Sequence, residues 1–194
     1  MLEQRIGLEG EALEGGELIR YRWQRDGATM VVDLYDPTKT YWLEDRYKQA
    51  LGSYHLVHFA GHSEYGTRHL LSDHDRFAPH YQILMMWSCH SYAYYARQFF
   101  RAKAQIARAL GLGASDPDGF GLGDFVGTAP TPFFGDEDDG IEQLLRGLMD
   151  GIAAVARGEP EQAPDWLTIL ERMNLTSWDR PYGAAGAREN SWRP

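Results

Sequence analysis

The sequence predicts a layered α/β fold built around a mostly parallel sheet. Two continuous apolar runs, at 54–60 and 82–88, are typical of strands that are buried on both faces of such a sheet. Segments with apolar residues at helical spacing occur at 41–51, 92–110 and 137–157. Strands that alternate with helices of this length favour parallel pairing through right-handed crossovers.

The remaining predicted elements are shorter. Two β-prone segments, 18–24 and 29–35, flank the turn dipeptide Asp26-Gly27, which predicts an antiparallel hairpin at one edge of the sheet. A short strand is expected at 124–128, before the helix at 137–157, and the last helix is expected at 165–173.

Length and the composition of the ends predict one domain over residues 18–178. The acidic, glycine-rich segment 1–17 has no periodicity, so we expect a flexible leader there. The segment 179–194 is rich in Gly, Arg and Pro, so we expect a flexible tail.

The charge balance restricts the partners of this protein. The 194 residues carry 28 acidic against 19 basic side chains, a net charge of -9, which opposes binding to nucleic acid or to an anionic membrane. No apolar run approaches the roughly 20 residues of a membrane helix. The single cysteine, Cys89, cannot form an internal disulfide, and a reduced thiol is typical of the cytoplasm, where we expect this protein to be.

Reactive side chains follow both apolar runs. His62 comes just after the first run and Cys89 just after the second, at the strand ends where open sheets bind ligands. A thiol with an ordinary pKa near 8.5 needs a base or a stabilising positive end of a helix to react as thiolate, and this sequence offers both. We therefore predict Cys89 as nucleophile, His62 as general base or acid, and the backbone amides of Cys89 and Ser63 as oxyanion donors.

The order of these motifs resembles the caspase-like cysteine peptidases, and FAGHSEYG is most similar to the gingipain and CHAT versions of the histidine motif. The resemblance covers about residues 54–128, with Ser63 where the family usually has glycine. It implies a caspase-hemoglobinase-like three-layer sandwich and a cysteine endopeptidase whose Cys89 and His62 form a dyad. It also implies a protein or peptide substrate and no cofactor.

Four residues near the predicted strand ends are candidates for the substrate pocket: Glu64, Tyr94, Thr128 and Asp136. The acidic run 136–139 is typical first of a helix start, where carboxylates stabilise the amino end. Its functional interpretation is an acidic wall that favours cleavage after Lys or Arg, or a site for Ca2+. Tyr92 and Tyr95, in contrast, are expected to be core residues on the apolar face of their helix.

Two alternatives remain open at this stage. One is a non-catalytic caspase-like interaction or sensor module, favoured by Ser63 and by the short segment before the first run. In either case, that short segment predicts a sheet that is trimmed or that a partner domain or chain completes. The other is a metal hydrolase, since all seven histidines lie between His55 and His90, but no HExxH or paired CxxC motif is present. We expect His58, inside an apolar run, to be a hydrogen-bonded core histidine.

Overall fold

A computed structural model of the chain describes residues 6, 8–40, 42–63, 71, 77–129, 136–176 and 182–186, except for the side chains of 136–138. The chain divides into two compact units. One unit takes in the segment up to Leu43 together with 138–176, and the other takes in 44–137 together with 177–193. The expectation of a single domain over 18–178 stays a prediction.

The predicted helices and strands are present, with bounds that differ by only a few residues. The strands are β1 (Gly10–Leu13), β2 (Leu18–Arg25), β3 (Ala28–Tyr35), β4 (Leu56–Ala60), β5 (Gln82–Trp87), β6 (Gly123–Thr128) and β7 (Tyr182–Ala185). The α-helices are α1 (Leu43–Leu51), α2 (Ser91–Ala109), α3 (Asp136–Ala156) and α4 (Trp166–Thr176). Within the described ranges, no helix has the length and apolar character needed to cross a membrane.

The first unit contains an antiparallel sheet in the order β1-β2-β3. The predicted hairpin is confirmed, because Asp26 and Gly27 both adopt positive φ, 53° and 84°, as a tight two-residue hairpin turn requires. Its predicted location was wrong, because β2 and β3 belong to this separate sheet and not to the edge of the parallel one. Part of the predicted leader is also ordered: β1 pairs along β2 from Gly10 to Leu13, using backbone hydrogen bonds that need no apolar periodicity.

The second unit contains a four-stranded sheet in the order β4-β5-β6-β7, and its first three strands are parallel. The predicted flexible tail over 179–194 is wrong at 182–185, where β7 pairs antiparallel with β6 from Thr128↔Tyr182 to Phe125↔Ala185. Residues 179–181 and 187–194 of the predicted tail lie outside the described residues. A tight backbone contact lies just past β7: Gly186 has a φ of 93°, and a Cβ there would lie 2.7 Å from the Gly123 oxygen of β6.

The core of the second unit lies between one face of this sheet and the helices α1 and α2. On the sheet, Val57, Leu84 and Phe125 are neighbours in register and belong to one buried cluster with Leu51 of α1 and Phe99 of α2. The opposite face of the central strands is buried too, since Met85 and Val126 are 0% exposed. The predicted α/β class with a mostly parallel sheet is thus confirmed.

A buried lysine secures the start of β5. Lys103 of α2 is fully buried, and its Nζ donates hydrogen bonds to the backbone oxygens of Ala78 and His80, each at 3.0 Å. Burial lowers the pKa of Lys103 to about 7. The segment that leads into β5 is therefore held by a side chain that titrates near neutral pH.

Candidate functional site

The register of β4 and β5 brings His62 and Cys89 to the same rim of the sheet. The last paired residues are Ala60 and Trp87, and the Gly61 amide extends the ladder by donating to the Trp87 oxygen at 3.1 Å. His62 and Cys89 each lie two residues beyond that pair. Because neighbouring strands are about 4.8 Å apart, the two chain segments that carry these residues leave the sheet from adjacent strands.

The two side chains are accessible to different degrees. His62 is exposed, Cys89 is half-buried, and Ser63 is buried, with 3% of its surface exposed. In the described part of the chain, no hydrogen bond joins the Cys89 Sγ to the His62 imidazole. Catalytic contacts are often long before substrate binds, so this arrangement is compatible with a dyad that closes on substrate.

A sharp turn presents Cys89 between β5 and α2. The next residue, His90, has left-handed backbone geometry with φ 52° and ψ 29°, which is uncommon for a residue other than glycine. Its Nδ1 donates to the Ala129 oxygen at 2.7 Å, since a carbonyl can only accept. Such locally strained turns persist where the surrounding structure holds them, and they concentrate at functional sites.

Hydrogen bonds from two buried hydroxyl groups hold this turn against the sheet. Ser91 Oγ donates to the Met86 oxygen at 2.6 Å and accepts the Thr128 amide at 2.9 Å. The Thr128 hydroxyl in turn donates to the Ser88 oxygen. These contacts fasten the end of β5, the start of α2 and the end of β6 to one another. Thr128, predicted to line the substrate pocket, is 0% exposed and instead supports the turn from within the core.

The backbone after His62 is held by Tyr95, a residue predicted from its place on the helix only to pack in the core. The hydroxyl of Tyr95 on α2 donates to the Ser63 oxygen at 2.7 Å, and Tyr95 is 0% exposed. A buried tyrosine generally forms a hydrogen bond through its hydroxyl, so the sequence predicts that Tyr95 has a partner. The sequence does not identify which residue that partner is.

Two backbone N–H groups at this rim can donate hydrogen bonds to an oxygen that develops negative charge. Over the ranges that the structure describes, the N–H groups of Cys89 and Ser63 have no hydrogen-bond acceptor. Cys89 also lies two residues before the first residue of α2, a 19-residue helix whose amino end favours anions. In the described structure, both predicted donors are therefore available to bind an oxyanion.

The other predicted pocket residues have different outcomes. Tyr94 is half-buried, and its ring lies edge-on to that of His90 with centroids 6.3 Å apart, which puts it beside the Cys89 turn. Asp136 is the first residue of α3, but its side chain lies outside the described part. Glu64 lies outside the described residues altogether.

The histidines do not assemble a metal centre in the described part of the chain, where no three His, Cys, Asp or Glu side chains cluster. His55 and His80 stack with ring centroids 4.4 Å apart, whereas His69 and His74 lie outside the described residues. His58 is half-buried, and the prediction of a hydrogen-bonded core histidine fails at its Nε2 atom, which is buried without a hydrogen-bond partner among the described residues. Burial lowers its pKa to about 4, so the ring is neutral at physiological pH.

The chain matches no protein-family model, no curated protein and no solved structure. The resemblance to caspase-like peptidases therefore stays a prediction based on the motifs around His62 and Cys89.

Proposed function

We propose that this protein is a cysteine endopeptidase of the caspase-like type, with Cys89 and His62 as its dyad. The observation that supports it is the register of the neighbouring parallel strands β4 and β5. His62 and Cys89, the only cysteine of the chain, each follow the Ala60↔Trp87 pair by two residues. The rim at the carboxyl ends of such strands is where this class of sheet binds ligands.

In the proposed reaction, His62 takes the proton of the Cys89 thiol, and the thiolate attacks the scissile carbonyl carbon. The carbonyl oxygen then carries the negative charge, which the amides of Cys89 and Ser63 stabilise. His62 returns the proton to the leaving amine as the C–N bond breaks, and water hydrolyses the thioester that remains. These steps require no cofactor.

The proposed substrate is a protein or peptide cut after a basic residue. A net charge of -9 favours a cationic substrate over an anionic one. Digestion of an unbiased peptide library tests this preference. Enrichment of Lys or Arg before the cut supports it, whereas cleavage without such enrichment refutes the preference and leaves the proposed peptidase reaction standing.

A thiol-reactive peptidyl probe tests the dyad. We expect covalent labelling of the wild type at neutral pH, none of Cys89→Ala, and strongly reduced labelling of His62→Ala. His55→Ala is the matched control, since it removes another exposed imidazole from the same unit and should label like the wild type. Equal labelling of the wild type and His62→Ala would contradict the proposed role of His62.

The second candidate function is a non-catalytic interaction or sensor module of the same fold. It is favoured by the lack of a hydrogen bond between Cys89 and His62 in the described structure. A correctly folded wild type that neither labels nor cleaves any library peptide would favour this module over the peptidase.

A further inference from the structure

We propose that Tyr95 is a positioning residue of the peptidase site, which sets the placement of His62 relative to Cys89 through its hydrogen bond to the Ser63 carbonyl. The inference rests on the proposed function and deepens it. It is carried by the contact between the Tyr95 hydroxyl and the Ser63 oxygen at 2.7 Å, made by a side chain that is 0% exposed.

One turn of α2 connects both halves of the site. Ser91 and Tyr95 are four residues apart, so they lie on the same face of the helix. Ser91 fastens that turn to β5 through the Met86 oxygen, just before Cys89. Tyr95 fastens the same turn to the segment that leaves β4, just after His62. A single rigid helical turn thereby fixes both strand ends.

The fastened carbonyl belongs to the residue whose amide is a proposed oxyanion donor. Holding the Ser63 oxygen restricts the backbone of Ser63 and, through it, the peptide that joins Ser63 to His62. Both the imidazole and the oxyanion donor then depend on one hydrogen bond. Because a misplacement of about 1 Å can cost about 100-fold in rate, loss of this bond should affect the chemical step more than substrate binding.

Tyr95→Phe tests the proposal, because it deletes the hydroxyl and keeps the buried ring. The matched control is Tyr92→Phe on the same helix: the Tyr92 hydroxyl also donates to a backbone oxygen, that of Ala184 in β7, at 3.5 Å. The measurements are kcat and KM on the best library peptide, the rate of Cys89 alkylation by iodoacetamide at pH 7, and the urea midpoint of each variant.

We expect Tyr95→Phe to lower kcat by about 10- to 100-fold with KM within about threefold of the wild type, and to slow alkylation by a similar factor. Tyr92→Phe should change kcat and alkylation less than about twofold, even where the urea midpoints of the two variants fall equally.

The two possible failures are distinguishable. If the wild type reacts in a His62-dependent manner but Tyr95→Phe matches it in kcat and alkylation, the positioning role is refuted and the peptidase stands. Equal kinetic losses in Tyr95→Phe and Tyr92→Phe would also refute it, by showing a general packing effect. If the wild type does not react or does not depend on His62, the proposed function fails and this inference fails with it.

Discussion

Stability should increase with pH between pH 7 and pH 9 because Lys103 is buried. Its pKa falls from 10.5 to about 7 on folding, through desolvation. Between these values the unfolded chain holds a proton on Lys103 that the folded chain lacks, so raising the pH favours the folded state. This contribution is fully present above pH 10.5 and is lost as the pH falls through 7. The two pKa values give a gain of about 2 kcal/mol in the free energy of unfolding from pH 7 to pH 9.

Urea unfolding at pH 7, 8 and 9, followed by circular dichroism, measures this gain. Lys103→Met keeps much of the apolar stem but cannot titrate, so we expect its stability to be nearly independent of pH over this range. It also leaves the Ala78 and His80 oxygens without the Lys103 donor, a pH-independent cost of about 1–3 kcal/mol for the buried Ala78 oxygen and less for the partly buried His80 oxygen. Lys39→Met, at a side chain with 57% exposure, should keep the wild-type slope. A Lys103→Met variant that retains the full pH dependence would refute the reasoning.

Three further outcomes are expected. The pKa of His58 is about 4 in the folded state, below its ordinary 6.5, so its contribution to stability is present above pH 6.5 and lost as the pH falls towards 4. His58→Gln should therefore lose about 2 kcal/mol less than the wild type between pH 7 and pH 4.5 in urea titrations, and an unchanged loss would contradict this. Thr128→Val should lower the free energy of unfolding by about 1 kcal/mol, because it removes one of two donors to the buried Ser88 oxygen and leaves the Ser91 amide at 3.1 Å as the other. Thr128→Ser should retain most of the wild-type stability in thermal unfolding, and equal losses in the two variants would implicate packing instead. Gly127→Ala should cost about 1–3 kcal/mol in the same assay, because its Cβ would lie 2.9 Å from the Tyr92 backbone nitrogen, and a wild-type midpoint would show that β6 can shift there.

The candidate site could be predicted from the sequence because His62 and Cys89 each follow a segment with a clear strand pattern. The run that ends before His62 and the run that ends before Cys89 are continuous in apolar residues, which indicates strands buried on both faces, and helices follow at recognisable spacing. The order of a strand, a turn and a helix around Cys89 then follows from local pattern alone.

The hydrogen bonds that support the site could not be predicted from the sequence. Tyr95 and Thr128 have the same apolar or β-prone surroundings as ordinary core residues, and their partners, Ser63 and Ser88, are 32 and 40 residues away in the chain. A hydrogen bond between a side chain and a distant backbone oxygen leaves no periodic trace in the sequence. For this reason Thr128 was predicted to line a pocket and Tyr95 was predicted only to pack.

The sequence by itself determined the four α-helices, the strands β2 to β6, the mostly parallel α/β class and the appearance of a thiol and an imidazole after two buried strands, because each depends on the pattern of neighbouring residues. It did not determine β1 and β7, which lie in the segments predicted to be flexible. Only the tertiary structure decided that the hairpin forms its own sheet, that residues 182–185 pair with β6, and that His62 and Cys89 leave neighbouring strands in register. Strand pairing is made by backbone groups that every residue carries, so the choice of partner depends on how the whole chain packs.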